Sequence, residues 1–310
     1  MFIKKDTRKV PEIIADDTDV REKMLLGRRE AEFLNGLNIL CHEKNIPRLA
    51  SLRVLSLYGN QLTSIDGIST LQHSPLEELN LGNNRLTELS SELGSLKSLE
   101  RLWVDDNRLT TLPTCILELD QLQVLRLSNN KIEYIPDELD KLSELEVLAL
   151  DNNIISGIPN SVYKLKHLKK LIVRGNHIKE LSKKVGQLSQ LTFFQASTNQ
   201  IGHLPDELGS LTKLATCLLN SNVIQDVPTS LCNLTSLKKI SLANNRIKRL
   251  PSMLEELWNL DGRSDEGVEP KVVVNLFGNP LKSSVDIVVQ SDEEIVDDEE
   301  PNKKQKKSLP

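Results

Sequence analysis

Histidine, cysteine and acidic side chains carry most metal and nucleophile chemistry, and in this sequence their spacing assembles no site. The five histidines are His42, His73, His167, His177 and His203. They form no HxxxH or HxH pair and stand at no metal-ligand spacing from a cysteine. His177 follows an asparagine directly and His203 follows one by four residues, so both read as solvent-exposed turn residues. Cys41, Cys115, Cys217 and Cys232 contain no CxxC pair, which fits a reducing compartment. Cys217 falls where its neighbours place an inward aliphatic, so it reads as a buried, inert thiol. No GxSxG, GxxxxGK[ST] or GxGxxG motif occurs. Neither a cofactor nor catalysis is expected.

The elements that position these residues follow from a repeat. Leu52, Leu55, Leu57, Asn60 and Leu62 set an LxxLxLxxNxL pattern. It returns at 76–86, 99–109, 122–132, 145–155, 168–178, 191–201, 214–224 and 237–247. Its asparagines are Asn60, Asn84, Asn107, Asn130, Asn153, Asn176, Asn199, Asn222 and Asn245, with a first step of 24 and seven further steps of 23. Leu55 and Leu57 are two residues apart, so in a strand they face one side. One short strand cannot bury them, but a neighbouring repeat can, and it also pairs the strand's backbone groups. The expected fold is an α/β solenoid: a horseshoe with a concave parallel sheet and short helical or extended convex segments. The asparagine amide can satisfy backbone groups at the turn, once per repeat. Proline follows at 113, 136, 159, 205, 228 and 251 and turns the chain to the convex side. Ser90 and Ser182 replace it in two repeats, where a less rigid turn is expected.

The residues between inward leucines point to the concave face. The central row reads Ser56, Asn80, Trp103, Arg126, Ala149, Ile172, Gln195, Leu218, Ser241 and Asn275. The flanking rows include Arg101, Lys170 and Phe193 on one side, and Tyr58, Asp105 and Arg174 on the other. Exposed aromatic and aliphatic groups beside Arg and Asp are the composition of a binding hot spot. Tyr58, Arg101, Trp103, Asp105, Arg126, Lys170, Ile172, Arg174, Phe193 and Leu218 are therefore the candidate partner-binding residues. Strand propensity alone would also place apolar residues there.

The ends differ from the repeat. Residues 1–33 read as an N-terminal extension with a helical cap over 20–33, and 34–281 as the repeat domain. That domain holds nine full repeats from about residue 50 and a C-terminal unit at 271–281, with a degenerate first strand at 34–39. The step from Asn245 to Asn279 is 34, and the extra residues form a polar loop after Trp258. Such a loop is either functional or a tolerated insertion. Residues 282–310 offer no core and are expected to be disordered. Ser291 in SDEE matches an acidophilic-kinase site, and Lys303, Lys304, Lys306 and Lys307 match a nuclear-import signal; a solvated, solubilising tail is the alternative reading of both.

The net charge of −5 does not favour nucleic acid, and no 18-residue apolar run indicates a membrane span. The N-terminus has no apolar run of signal-peptide length, so the sequon Asn233-Leu234-Thr235 reads as coincidence and a cytoplasmic or nuclear location is expected.

The repeat over 50–281, as in LQVLRLSNNKIEYIPDELDKL from Leu122 to Leu142, resembles the 23-residue intracellular leucine-rich repeat of the Ras-suppressor, Scribble and Erbin class and of the plant intracellular Ras-group-related proteins. That resemblance implies a non-enzymatic scaffold or adaptor with a small GTPase, kinase or phosphatase as partner, and the chain is expected to be monomeric. It also leaves open a regulatory subunit of an enzyme such as a phosphatase or ubiquitin ligase. The chain departs from the class in carrying no PDZ or kinase domain.

Overall fold

A computed structural model describes residues 23–25, 52–258 and 272–281. Among the described residues, eleven three-residue strands form one parallel sheet in chain order: β1 Lys23–Leu25, β2 Val54–Ser56, β3 Glu78–Asn80, β4 Arg101–Trp103, β5 Val124–Arg126, β6 Val147–Ala149, β7 Lys170–Ile172, β8 Phe193–Gln195, β9 Thr216–Leu218, β10 Lys239–Ser241 and β11 Val273–Asn275. The register advances by whole repeats, so Leu125 faces Leu102 and Leu148. Each strand is short because one repeat supplies only three residues before its turn. The ladder then continues one residue further: Val104 N–H donates to Arg126 O at 2.8 Å.

The inward column Leu55, Leu79, Leu102, Leu125, Leu148, Leu171, Phe194, Cys217, Ile240 is sealed. Departures from leucine compensate one another. Phe194 stands opposite Cys217 on the next strand, and Ala196 follows it two residues on, so two small side chains flank the large ring.

The asparagine of each turn is the second bracing element. Asn153 Nδ2 donates to Leu127 O and Leu150 O at 3.0 Å, while its Oδ1 accepts from Ile132 N at 2.9 Å. The same arrangement runs from Asn84 to Asn279. The residue before each such asparagine is left-handed throughout, with φ between 53° and 74° at 59, 83, 106, 129, 152, 175, 198, 221, 244 and 278. Asparagine and glycine tolerate this conformation; Thr198, β-branched, holds it against steric resistance.

Convex returns are 3₁₀ turns, such as Ser91–Ser95, Thr114–Glu118, Lys183–Gln187 and Asp206–Ser210. Pro113, Pro205 and Pro228 precede theirs with φ of −66°, −72° and −71°. The serine turns are not looser in form. Ser90 and Ser182 take φ of −57° and −65°, and each hydroxyl accepts from the backbone N–H two residues on. The hydroxyl supplies by hydrogen bonding what the ring supplies covalently.

One expectation is corrected. Within the segment read as helical, Lys23–Leu25 is a strand paired in parallel with β2. The open edge of β2 presents unsatisfied N–H and C=O groups, and pairing with them outweighs local helix propensity. The remainder of 1–51, including the expected strand at 34–39, lies outside the described residues. So do the loop at 259–271 and the tail with Ser291 and Lys303, Lys304, Lys306 and Lys307. At the C-terminal end, α1 (Ser252–Leu257) precedes the buried Trp258, and β11 closes the described sheet as the expected terminal unit.

Candidate functional site

The sheet brings the ten candidate residues onto one face, in three rows about 4.8 Å apart from strand to strand. Trp103 stands beside Arg126, and Lys170 beside Phe193. Their exposure differs from the expectation. Trp103, Arg126, Ile172 and Leu218, expected to be exposed, retain only 7–8% of their accessible surface. Side chains of the central row stand shoulder to shoulder at strand spacing and are flanked by a row on either side. What reaches solvent is the tip of the central row and more of the flanks: Tyr58, Arg101, Asp105, Lys170 and Phe193 are half-buried, and Arg174 is exposed.

Tyr58 packs its ring over Gly82, where a Cβ would come within 3.0 Å of it. Arg101 Nη1 pairs with Glu78 at 2.8 Å. The centre of the face is a buried polar network. Arg126 Nε lies 3.3 Å from Asp105 Oδ2, and Ser128 N–H donates to Asp105 Oδ1 at 2.8 Å. The Ser128 hydroxyl donates in turn to Asp151. Sequence reasoning placed Asp105 and Arg126 in the site but missed Ser128 and Asp151. The available signal was that all three of Asp105, Ser128 and Asp151 occupy one row on successive strands. Beside this network, the Trp103 Nε1–H is buried with no hydrogen-bond partner among the described residues.

Burial pushes the Asp105 carboxyl up to about 6; the Arg126 guanidinium and the Ser128 N–H pull it back down, and Asp151 adds to the rise. The sign of the linkage follows. Between about pH 4 and 6 the folded chain holds this proton while the unfolded chain has released it, so stability falls as pH rises through that window. Above it the full penalty applies, on the order of 2–3 kcal/mol. Urea unfolding at pH 4.5 and 7 should show this fall in the wild type and a smaller one in Asp105→Asn. Equal pH dependence in the two proteins would refute the assignment.

His73, His167, His177 and His203 are all exposed, as expected for the latter two. Cys217 is sealed in the core and burial pushes its thiol up to about 12, far from a reactive thiolate. Among the described residues no group of three or more His, Cys, Asp or Glu could hold a metal, and no helix is long and apolar enough to cross a membrane.

A family model described as a leucine-rich repeat region matches residues 37–156, 138–216 and 158–263. Comparison with curated proteins returned no match. Among solved structures, the chain is similar to a plant peptide hormone receptor, RGFR1, in complex with RGF2 (22% identity, TM-score 0.66, 84% of this chain and 40% of the receptor chain). It is similar to a TDR receptor (25% identity, TM-score 0.68, 84% and 43%). An internalin, inlF, from Listeria monocytogenes matches with 21% identity and a TM-score of 0.50 over 82% of this chain and 90% of its own. The chain thus spans about two fifths of the receptor chains it matches.

Proposed function

The chain belongs to the leucine-rich-repeat family, and from that premise we propose that it is a non-enzymatic scaffold or adaptor that binds a protein partner on its concave face. The observation that carries this is Trp103: a large indole in the central row of the concave face, beside Arg126, with its N–H donor unsatisfied among the described residues. A buried donor without a partner costs about 1–3 kcal/mol, a burden that a partner's carbonyl or carboxylate would relieve once the indole turns outward to meet it. Use of the same fold by a peptide hormone receptor supports recognition of protein or peptide. The finer reading is a 23-residue intracellular repeat of the Ras-suppressor and Scribble kind, acting as a monomer in the cytoplasm or nucleus, with a signalling protein as partner and neither nucleic acid nor membrane as ligand.

Two substitutions test it. Trp103→Phe keeps most of the ring volume and deletes the orphan donor, so stability should hold or rise while partner recovery in a pull-down falls about tenfold. Arg174→Glu reverses an exposed charge and should weaken recovery without changing the fold. Arg126 is the poorer choice for reversal, because a carboxylate there would face buried Asp105. Full recovery with both variants would move the binding surface off the concave face.

A further inference from the structure

The charge on the concave face is divided along the stack. From β3 to β6 it carries Glu78, Arg101, Asp105, Arg126 and Asp151, mixed in sign. From β7 to β11 the outward rows carry Lys170, Arg174 and Lys239 and no carboxylate at all. Between these cations, on β8 and β9, lie the half-buried Phe193 and the tip of Leu218. The order across the strands is therefore basic on β7, apolar on β8 and β9, and basic on β10.

The chain contains the complement in the same order. Asp292, Glu293 and Glu294 precede Ile295 and Val296, and Asp297, Asp298, Glu299 and Glu300 follow them. We propose that residues 292–300 dock across the C-terminal half of the concave face, acidic groups against Lys239 on one side and Lys170 and Arg174 on the other, with Ile295 and Val296 over Phe193 and Leu218. Lengths agree. The centres of the two acidic groups are five to six residues apart, about 18 Å when extended. Three strand steps from β10 to β7 span about 14 Å. Ten residues, 282–291, lie between Leu281, the last described residue after β11, and Asp292, and the eleven chain steps reach up to about 36 Å, more than the four strand steps back to β7 require. Tethering keeps the acidic segment at millimolar-order local concentration, so modest contacts suffice. Docked there, the segment would compete with a partner for the face; that consequence rests on the function proposed above.

Carbodiimide cross-linking of the dilute full-length chain tests the docking, because it joins an amine to a carboxylate only in contact. The expected result is that, in the monomer band, Lys170 and Lys239 link to residues 292–300 at least fivefold more than the exposed Lys131, Lys166 and Lys248 do. These links should collapse in 0.5 M salt and in a variant with Asp292→Asn, Glu293→Gln and Glu294→Gln. Links spread evenly over surface lysines, or found only in a dimer band, would overturn the proposal, the latter assigning the site to a second copy. Partner recovery by the same variant is read separately. A rise supports competition; no change, with the cross-links present in the wild type, overturns the competition and leaves the docking intact.

Discussion

Phe194→Ala is expected to destabilise the protein by about 3–5 kcal/mol, the largest loss of any single core truncation on β7–β9. The ring is fully buried and lies in the inward column that, from β2 to β11 and apart from Cys217, otherwise holds leucine, isoleucine or valine. Its extra volume is accommodated by Cys217, its register partner, and by Ala196 on its own strand. The three departures should therefore behave as a unit. Cys217→Leu alone restores the common residue yet should cost about 1–3 kcal/mol, because the added methyls meet Phe194. Phe194→Leu alone leaves a void. Combining them should recover much of both losses, with a coupling of at least about 1 kcal/mol in a double-mutant cycle. Simple additivity would show that the residues do not share space. Because each repeat leans only on its neighbours, loss of hydrogen-exchange protection in Phe194→Ala should concentrate in β7 to β9.

Asn153→Ala should cost about 1–3 kcal/mol, since its side chain accepts from the buried Ile132 N–H and donates to Leu127 O and Leu150 O, carbonyls it shares with Asn130 and Asn176. The residue is buried, so water cannot replace the amide without opening the turn. For a domain of this size the shift in melting temperature is on the order of 3–10 °C. Asn129→Gly is the matched control. It removes the exposed amide that accepts from Asn152 Nδ2 at 2.8 Å and relieves a left-handed backbone, so stability should change by less than about 0.5 kcal/mol. An equal loss in both would mean that the ladder's value is not set by burial. The functional stake is shared with Phe194: the ladder and the inward column hold successive strands in register, and register sets which residues stand together on the concave face.

Much of this architecture was legible from spacing. A 23-residue period with leucines two apart determined the inward columns, the order of the strands and the membership of each outward row, because the side-chain period of a strand is two and stacked repeats must align to bury their faces. The asparagine ruler by itself also locates the backbone-satisfying turn. Other features depended on atoms a whole repeat away. Arg126 and Trp103 point outward as their positions require, but only neighbouring strands and flanking rows decide that they are nearly covered. Asp105 acquires its raised proton affinity from burial beside residues 21 to 46 positions further on. Ser90 and Ser182 look like missing prolines until their hydroxyls are seen to cap the turn. Lys23–Leu25 lies in a stretch of helical composition and becomes a strand because the exposed edge of β2 needs pairing. Periodicity alone determined the direction of each side chain; its exposure, its charge state and its partners were decided by the tertiary structure, because burial and electrostatic environment are properties of the neighbours that stacking supplies.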